Sequence, residues 1–519
     1  MGMVAPEQRI ASAFFVIHGK HGDVSRYAQE RGVCRQSIYN EAATLRNALA
    51  TAQQDIAGLR EQLRQAQQQQ AQLQAQLANA VVIDAQKQAE VACVGQARGV
   101  TLRDCREMLE VLIRGQTLSV AELGRRTQAA GKKAGALLAV LDEVTLQKVR
   151  EAAADEIYVK DPVLMVVEPE SLCWLSGHLS DTVSGEAWAK EFKQLPNLEQ
   201  VMRDGGTGLE KGVALVNEQR QAEGKSLLTD QGDHFHALRH GGVGLNKAQR
   251  QAQKALAVAE AAQQELDECS RQGQSRAGIA TRASHAWKKA EEAFDTWQER
   301  EQLWQKTKQA LQLITPEGAL NTRAKAEGVL AETLPQLPDS DFAKAKRQLQ
   351  KPEMLNYLDR VQEKLAVLPF AEEVKQAAIR QEALRRRPDA LQGESPSAAA
   401  LRGVLLMCAV VLSKADEGMQ AAAALKDIFR RAYRASSLVE CINSVLRMHQ
   451  AGHRRMTQGL LDLKRLYWNC HRFSAGRRRK TTPYERLGIS WPPDLPWWEL
   501  LKLTPEQLTD KLSKTNVAI

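Results

Sequence analysis

The distribution of apolar residues predicts a small β-sheet in the middle of the chain. Residues 152–167 combine an extended run, a Lys-Asp-Pro turn and a nearly all-apolar run, which is typical of a β-hairpin. Shorter apolar runs predict strands at 171–176 and 198–203, and a further short strand leads into a helix within 225–241. Strands that alternate with helices over 151–240 predict an α/β core that begins with an antiparallel hairpin.

A different pattern, with alternating spacings of four and three, predicts a long helix after residue 44. This heptad seam has a Gln-rich outer face. Its members are Leu45, Leu49, Ala52, Ile56, Leu59, Leu63, Ala66, Gln70, Leu73 and Leu77. Because such a seam needs a partner, we expect a homodimer through 45–77, with Gln70 fixing the register. The alternative is a solvated helix that packs on its own chain.

Helical stretches on either side of the seam fit DNA-binding modules. Residues 1–48 fit a helix-turn-helix, in which Ala28 is small where the helices cross and Gly32 turns the chain. Its second helix would present side chains that contact base edges and phosphates. These are Arg35, Gln36, Ser37, Tyr39 and Asn40. Residues 96–150 contain a second such pattern with Arg125 and Arg126 as candidate contacts. An ordinary helical hairpin and a plain basic face are the respective alternatives.

Most of the remaining chain is predicted to be helical. Residues 241–435 have an almost wholly helical pattern, 436–490 combine a helix with a basic region, and 491–519 form a C-terminal tail that begins rich in Pro and Trp. The predicted fold class is a multidomain α and α/β protein. Helix-turn-helix modules and a coiled-coil dimerisation helix at 49–95 precede a mixed-sheet core, which a large all-helical insertion interrupts.

Composition narrows the class of protein. The 519 residues carry a net charge of +9, which is compatible with a nucleic-acid partner. Eight scattered cysteines without a C-x-x-C motif predict a reducing compartment rather than a disulfide framework or a zinc ribbon. We expect neither a signal peptide nor a membrane span, and the apolar run at 401–412 is predicted to be a buried helix. The Gly pairs at 205–206 and 241–242 lack the phosphate-loop pattern, so no nucleotide cofactor is expected.

Three carboxylates carry the candidate chemistry. Asp155 lies on the first predicted strand, Asp204 follows the strand at 198–203, and Glu440 lies on a late helix. Two Asp and one Glu suit two Mg²⁺ or Mn²⁺ ions, the arrangement of two-metal phosphoryl transfer. Glu440, Asn443 and Arg447 share one helix face at i, i+3 and i+7, so that the acid would meet metal and Arg447 would meet phosphate.

Other polar residues near these positions are weaker candidates. Asp230 and Asp233 are rivals for the second acid. The nearby histidines suggest a zinc site less strongly, because no cysteine accompanies them, and His236 is expected to be a packing or DNA-contacting residue beside the core. The basic run Arg477, Arg478, Arg479 and Lys480 is either a solvated loop or a phosphate contact.

The chain resembles the DDE transposases of bacterial insertion sequences, whose catalytic core is RNase H-like, as in retroviral integrases. The resemblance rests on Asp155 before a hairpin, on Asp204 before a glycine pair, and on three motifs near the C-terminus. These motifs are V-E-x-x-N-x3-R at 439–447, L-x-L-x-x-x-Y-W-N at 461–469 and K-T-T-P-Y-E-R-L-G at 480–488. More than 230 residues separate the second and third acids, which fits the helical insertion that some transposases carry there.

The resemblance implies a bacterial, cytoplasmic and nucleoid-associated enzyme that acts on double-stranded DNA. It implies binding to terminal inverted repeats, metal-dependent strand cleavage, and attack of a 3′-hydroxyl on target DNA, with Asp155, Asp204 and Glu440 as ligands of two Mg²⁺ or Mn²⁺ ions. Two alternatives remain open. One is a catalytically inactive dimeric regulator derived from a transposase, and the other is an RNase H-like nuclease without strand transfer.

Overall fold

The computed structural model describes residues 4–79, 83–113, 116–273, 275–452, 455–489 and 495–516. Within these ranges the side chains of 77–79, 449, 451–452, 477 and 515–516 are not described. The predictions for the Leu77 and Arg477 side chains, and for residues 490–494 and 517–519, therefore lie outside the described residues. The chain divides into two compact units, residues 1–84 and 85–519.

The first unit consists of three helices, which are α1 (Pro6–His18), α2 (Asp23–Glu30) and α3 (Arg35–Asn79). Buried Ala28 and Ile38 lie where α2 and the start of α3 pack. Gly32 has a φ of +65°, a left-handed turn conformation that suits glycine. The helix, turn and second helix predicted from the sequence are therefore present.

Helix α3 is one continuous element of 45 residues, so the predicted boundary at residue 49 is not a break in structure. The prediction that the coiled-coil helix extends to residue 95 is wrong. Helix α4 (Ala85–Ala97) belongs to the second unit, where Ala92 and Ala97 are fully buried. The two helices share an Ala- and Gln-rich composition, which hides the boundary between them.

The predicted second helix-turn-helix is also wrong. The stretch contains α5 (Leu102–Leu112) and α6 (Val120–Thr145), and α6 runs without a turn through the whole pattern. Its glycines permit close packing instead. A Cβ on Gly131 would lie 2.5 Å from the carbonyl oxygen of Gly459, on a neighbouring helix. Leu137 and Leu141 of α6 are buried in the same core as the sheet, so this stretch is part of the second unit's core.

One five-stranded mixed sheet lies at the centre of the second unit. Its strands are β1 (Glu151–Val159), β2 (Asp161–Glu168), β3 (Cys173–Leu179), β4 (Gln200–Arg203) and β5 (Thr229–Gly232). Helix α7 (Gly185–Lys193) precedes β4, and α8 (Thr207–Ala222) follows it. The strand order is β3-β2-β1-β4-β5, with β1, β2 and β3 antiparallel and β4 and β5 parallel to β1. The predicted hairpin and α/β pattern are confirmed.

Both faces of β1 are covered, which explains its nearly continuous apolar sequence. Ala152 and Ala154 face a core that includes Trp188 of α7 and Leu141 of α6. Ala153 and the apolar odd-numbered residues that follow it on β1 face a second core, which includes Ile442. The alternation of a strand thus assigns Asp155 to the side of the sheet on which the late helix packs.

The region between β5 and the late helices is helical, as its sequence pattern predicts. Its described residues form eight α-helices with their own core. These are α9 (His234–Arg271), α10 (Ala277–Ala310), α11 (Arg323–Thr333), α12 (Asp339–Leu349), α13 (Asn356–Ala366), α14 (Glu372–Arg385), α15 (Pro396–Lys414) and α16 (Gly418–Arg430). The long helices α9 and α10 pack against each other as a pair.

Helix α15 differs from the buried helix expected at 401–412. It has 19 residues, and only 17% of its apolar window is buried. In length and hydropathy it would suffice to cross a bilayer, and it is the one such helix in the described part of the chain. A single helix of this kind is weak evidence for a membrane, because core helices of water-soluble proteins meet the same criteria.

In the described residues after α16 there are five further α-helices. They are α17 (Val439–Gly452), α18 (Gln458–Cys470), α19 (Pro483–Arg486), α20 (Trp497–Leu500) and α21 (Pro505–Asn516). Short 3₁₀ turns occur at Leu146–Lys148, Leu334–Gln336, Pro352–Leu355, Pro388–Leu391 and Gly476–Arg478. Helix α18 packs on the edge of the sheet, where Asn469 accepts a hydrogen bond from the backbone N–H of Trp174 (2.8 Å) and donates to its carbonyl oxygen (2.9 Å).

Candidate active site

The sheet brings two of the three predicted acids together. Strands β1 and β4 are parallel and paired up to Ala154 and Arg203. Asp155 and Asp204 are each the next residue, so they occupy neighbouring positions on strands that are about 4.8 Å apart. Asp155 is buried and Asp204 is half-buried. The prediction that these two residues face each other across the sheet agrees with this register.

Helix α17 packs against the same part of β1. Val439, Ile442 and Leu446 are fully buried and share a core with Ala153 of β1. Asn443, on the same face, donates from Nδ2 to Oδ2 of Asp155 at 3.1 Å. The contact joins residues that are 288 positions apart in the sequence. It places the first turns of α17, which contain Glu440, over the strand that carries Asp155.

Glu440 lies in the first turn of α17 and is bound by an arginine from the same helix. Arg447 contacts both carboxylate oxygens of Glu440, at 2.7 Å and 3.2 Å. Both side chains also belong to the electrostatic surroundings of Asp155. The charge of Glu440 raises the pKa of Asp155, and Asp155 contributes to the raised pKa of Arg447. Glu440 is therefore near enough to Asp155 to influence it electrostatically, and its side chain is the more exposed of the two.

A fourth carboxylate, Glu156, was not predicted from the sequence. A Cβ on Gly206 would lie 2.9 Å from Oδ1 of Asp204 and 3.7 Å from Oε1 of Glu156, so these two carboxylates share the space beside that glycine. Successive residues of a strand point to opposite faces, which argues against pairing Glu156 with Asp155 when only the sequence is considered. Asp204 lies beyond the end of β4, where it is close to both Asp155 and Glu156.

The electrostatics reflect the crowding of negative charge. Burial, followed by the carboxylates of Asp204 and Glu156, raises the pKa of Asp155 to about 7. Burial, followed by Asp204, raises the pKa of Glu156 to about 7 as well. In each case the charged carboxylate loses hydration and has a like-charged neighbour, so both effects favour the protonated form. A bound cation would relieve both effects.

Asp233 and His236 form a supporting group beside the acids. Asp233 caps α9 through the N–H of Phe235 (2.6 Å) and accepts hydrogen bonds from Ser436 Oγ and His236 Nδ1, both at 2.7 Å. This hydrogen bond with Asp233 raises the pKa of His236, and the charges of Asp155 and Asp204 contribute further. Because three donors occupy the carboxylate of Asp233, its geometry favours a structural role over that of second acid.

The donor set fits a hard cation, although the side chains are not gathered around one. No group of three His, Cys, Asp or Glu side chains in the described ranges is arranged to hold a metal ion. All the candidate donors are nevertheless oxygens, which Mg²⁺ and Mn²⁺ prefer. Two buried acceptors, Glu156 Oε2 and Asn443 Oδ1, have no hydrogen-bond partner among the described residues.

The predicted DNA contacts of the first unit are accessible. Arg35, Gln36, Tyr39 and Asn40 are exposed along the start of α3, and Ser37 is half-buried. Local hydrogen bonds order part of this surface, from Gln36 to Asn40 (3.0 Å) and from Arg35 to Ser25 (3.2 Å). The side chains that the sequence assigned to the outside of the second helix are thus on its outside.

The basic residues predicted to contact DNA from the second unit differ in their partners and in their exposure. Arg125 and Arg126 both pair with Glu122 at 2.7 Å on the first turns of α6. Arg478 donates to the carbonyl oxygens of Glu170 and Pro169, both at 3.1 Å, which fixes the loop before α19. Arg479 and Lys480 are exposed. Of these residues, Arg479 and Lys480 are the better placed for a phosphate contact.

The C-terminal motifs are explained by structural contacts. Thr482 and Glu485 form a capping box at the start of α19, and Tyr484 is fully buried. Asn469 donates a hydrogen bond from Nδ2 to Tyr484 Oη at 3.2 Å. Comparison of the chain with protein-family models, with curated proteins and with solved structures gives no match. The arrangement of the acidic site therefore carries the functional argument.

Proposed function

We propose that the chain is a DNA transposase of the DDE type, with an RNase H-like core that cuts and joins DNA. The observation that carries the proposal is the acidic site. Asp155 lies on β1 directly after its pairing with β4, Asp204 directly follows β4, and the helix of Glu440 is fastened to Asp155 through Asn443. Acids from two neighbouring strands and a distant helix suit a site that binds metal ions and a phosphodiester.

The connectivity supports this proposal. The first acid lies on the first strand of an antiparallel hairpin, and the second acid ends a later parallel strand. An all-helical region separates β5 from the helix of the third acid, as the resemblance to transposases with a helical insertion implies. Arg360 of that region donates to Glu151 (2.8 Å) and Glu199 (2.9 Å), where β1 and β4 begin.

Asp155, Asp204 and Glu440 are the residues that would hold two Mg²⁺ or Mn²⁺ ions. Such ions, when bound, activate the attacking oxygen and stabilise the leaving oxygen of a phosphodiester. Two observations support the assignment of cations to this site. Glu156 Oε2 and Asn443 Oδ1 have no hydrogen-bond partner among the described residues, and the pKa values of Asp155 and Glu156 are raised. The oxygen-only donor set favours these metals over zinc.

The side chains around the acids have distinct roles in this proposal. Asn443 orients Asp155, and Arg447 supplies a positive charge at the exposed side, where it exchanges Glu440 for a DNA phosphate. His236, oriented by Asp233, borders the acids as a second positive group. The helix-turn-helix of the first unit binds the terminal inverted repeats. As a DNA enzyme of a bacterial insertion sequence, the protein acts in the cytoplasm on the nucleoid.

A cleavage and joining assay tests the proposal. The substrate is a supercoiled plasmid that carries the coding sequence with its natural flanking DNA, incubated with the full chain and Mg²⁺. We expect cuts at the flanking ends and joined products with a second plasmid. Asp155→Asn, Asp204→Asn and Glu440→Gln should each abolish cleavage and keep DNA binding in a gel-shift assay. Asp181→Asn, an exposed acid outside the site, is the matched control.

Each outcome of this assay has a defined meaning. Cuts without joined products would indicate that the protein is a nuclease rather than a transposase. DNA binding without any cut by the unaltered chain would favour a regulator that has lost its chemistry. A cut that survives in Asp155→Asn would exclude the acidic site as the catalytic centre.

A further inference from the structure

Helix α3 exposes an apolar seam that the described residues of the first unit leave uncovered. Beyond the packed start of the helix, every described side chain from residue 46 to 76 is exposed. Leu59 and Leu63 are 64% and 60% exposed, and Leu49 and Leu73 are 57% and 60% exposed. These residues lie at heptad positions a and d, on one stripe of the helix. The seam is a surface that needs a partner.

A single exposed helix of this length would be weakly stable. Helix α3 has 45 residues and is about 68 Å long at 1.5 Å per residue. Helices in proteins obtain most of their stability from packing of an apolar face, and residues 46–76 have no such packing in the first unit. The Gln-rich outer face contributes little, because Gln is a helix former without apolar surface to bury.

The charges beside the seam identify the partner and its direction. With Leu49, Ile56 and Leu63 at position a, Asp55 is at position g and Arg60 is at position e of the next heptad. In a parallel pair of identical helices, position g of one chain faces position e of the next heptad in the other. Asp55 then meets the partner's Arg60, and the two-fold symmetry creates this ion pair twice.

An antiparallel pair over the same span loses this complementarity. There, e positions face e positions, so that Arg60 meets the partner's Arg60 and like charges oppose each other. Along the helix itself, Glu61 pairs with Arg64 on the outer face. In the described part of the chain no ion pair within one protomer uses Asp55 or Arg60, which leaves both for the partner.

We propose that residues 45–76 form a parallel, in-register coiled coil with a second copy of this chain, flanked by reciprocal Asp55–Arg60 ion pairs. Gln70 at position a adds a polar layer that fixes the register, because polar groups at this position pair best with each other. The parallel direction places both helix-turn-helix ends at the same end of the coil. This inference does not depend on the proposed function or on the acidic site.

Cysteine cross-linking tests the direction of the pair in the full chain. The background carries Cys34→Ser and Cys441→Ser, because both native residues are exposed. Leu49→Cys and Leu73→Cys should each form a disulfide-linked dimer under mild oxidation, and Gln54→Cys on the outer face should not. Cross-links that appear only when the Leu49→Cys and Leu73→Cys proteins are mixed would overturn the parallel arrangement.

A charge reversal tests the ion pairs and the identity of the partner. Asp55→Arg and Arg60→Asp should each raise the dimer dissociation constant roughly three- to tenfold, since each reversal opposes like charges at both symmetric sites. The double variant Asp55→Arg/Arg60→Asp should restore the original value in equilibrium sedimentation. A chain that is monomeric at micromolar concentration, or a double variant without recovery, would overturn the proposal. These surface changes leave the packed start of α3 intact.

Discussion

Asn443 donates a hydrogen bond from Nδ2 to Oδ2 of Asp155 at 3.1 Å, and this contact fixes a late helix onto the first strand of the sheet. Asn443 is almost completely buried, at 1% exposure. Its amide oxygen, Oδ1, has no partner among the described residues, so the side chain is held mainly by Asp155. The contact links the position of Glu440 to that of Asp155 through one rigid helical turn.

We expect Asn443→Ala to lower DNA cleavage roughly ten- to hundredfold, as loss of a group that orients a metal-binding carboxylate does. The free energy of unfolding should fall by about 1–3 kcal/mol, because a buried carboxylate loses a donor. Ser444→Ala, on the neighbouring exposed position, is the control. Cleavage at the original rate by Asn443→Ala would show that Asp155 does not need this contact.

Arg447 is expected to exchange its partner when DNA binds. The side chain is 56% exposed and its ion pair with Glu440 contributes at most about 1 kcal/mol. Arg447→Ala should therefore leave the melting temperature nearly unchanged, weaken DNA binding at every sequence and reduce the salt dependence of binding by about one phosphate contact. Lys414→Ala, an exposed cation on α15, should change neither quantity. An unchanged salt dependence in Arg447→Ala would contradict the phosphate contact.

Arg360 connects the helical insertion to the sheet through a buried ion pair. Its guanidinium donates to Gln200 and, at 2.8 Å, to Glu151, which is 2% exposed. Arg360→Ala leaves that carboxylate buried without its nearest cation, so the free energy of unfolding should fall by about 3 kcal/mol. Lys211→Ala breaks only the exposed pair with Glu186 and should leave the free energy of unfolding nearly unchanged. Equal losses in thermal denaturation would refute the distinction.

His234 should make the protein sensitive to acid. Burial lowers the pKa of His234 to about 4 from the 6.5 of the unfolded chain, and its Nε2 contacts the carbonyl oxygen of Met354 at 2.7 Å. Between these values the unfolded chain binds the proton and the folded chain does not. The contribution is therefore complete above pH 6.5 and is lost as the pH falls towards 4. It amounts to roughly 3 kcal/mol.

The measurement is the midpoint of thermal unfolding at pH 7 and at pH 5, for the unaltered chain and for His234→Gln. The glutamine retains a donor for Met354 but does not titrate. We expect a smaller decrease between the two pH values in the variant. The same decrease in both proteins would show that His234 does not account for the acid sensitivity.

The sequence was sufficient to predict that Asp155 and Asp204 lie close together. Each follows or lies in an apolar run that forms a strand, and parallel pairing makes the ends of such strands neighbours. Glu440 was predicted from helical spacing, and the i+3 position of Asn443 placed it on the same face. Glu156 was missed because strand alternation alone assigns it to the opposite face from Asp155. Its proximity to Asp204 depends on where β4 ends.

The wrong predictions have a common physical origin. The pattern over 96–150 resembled a helix-turn-helix, whereas Gly131 and Gly135 lie within the continuous α6 and make room for α18. A Cβ there would lie 2.5 Å from Gly459 and 2.8 Å from Asp462. Residues 85–97 continue the Ala- and Gln-rich composition of α3, but they are buried in the second unit. In both α6 and residues 85–97, the composition correctly indicates a helix. Contacts with residues distant in the sequence decide which face of each helix is buried and what it packs against.

The most direct test of the account is a crystal structure of the protein grown with Mn²⁺, measured at the manganese absorption edge. The account predicts anomalous density within coordination distance, about 2.2 Å, of carboxylate oxygens of Asp155 and Asp204, with Glu440 released from Arg447 to join them. Density at Asp233 instead, or no site-bound manganese at saturating concentration, would contradict the central claim that these acids form one metal site.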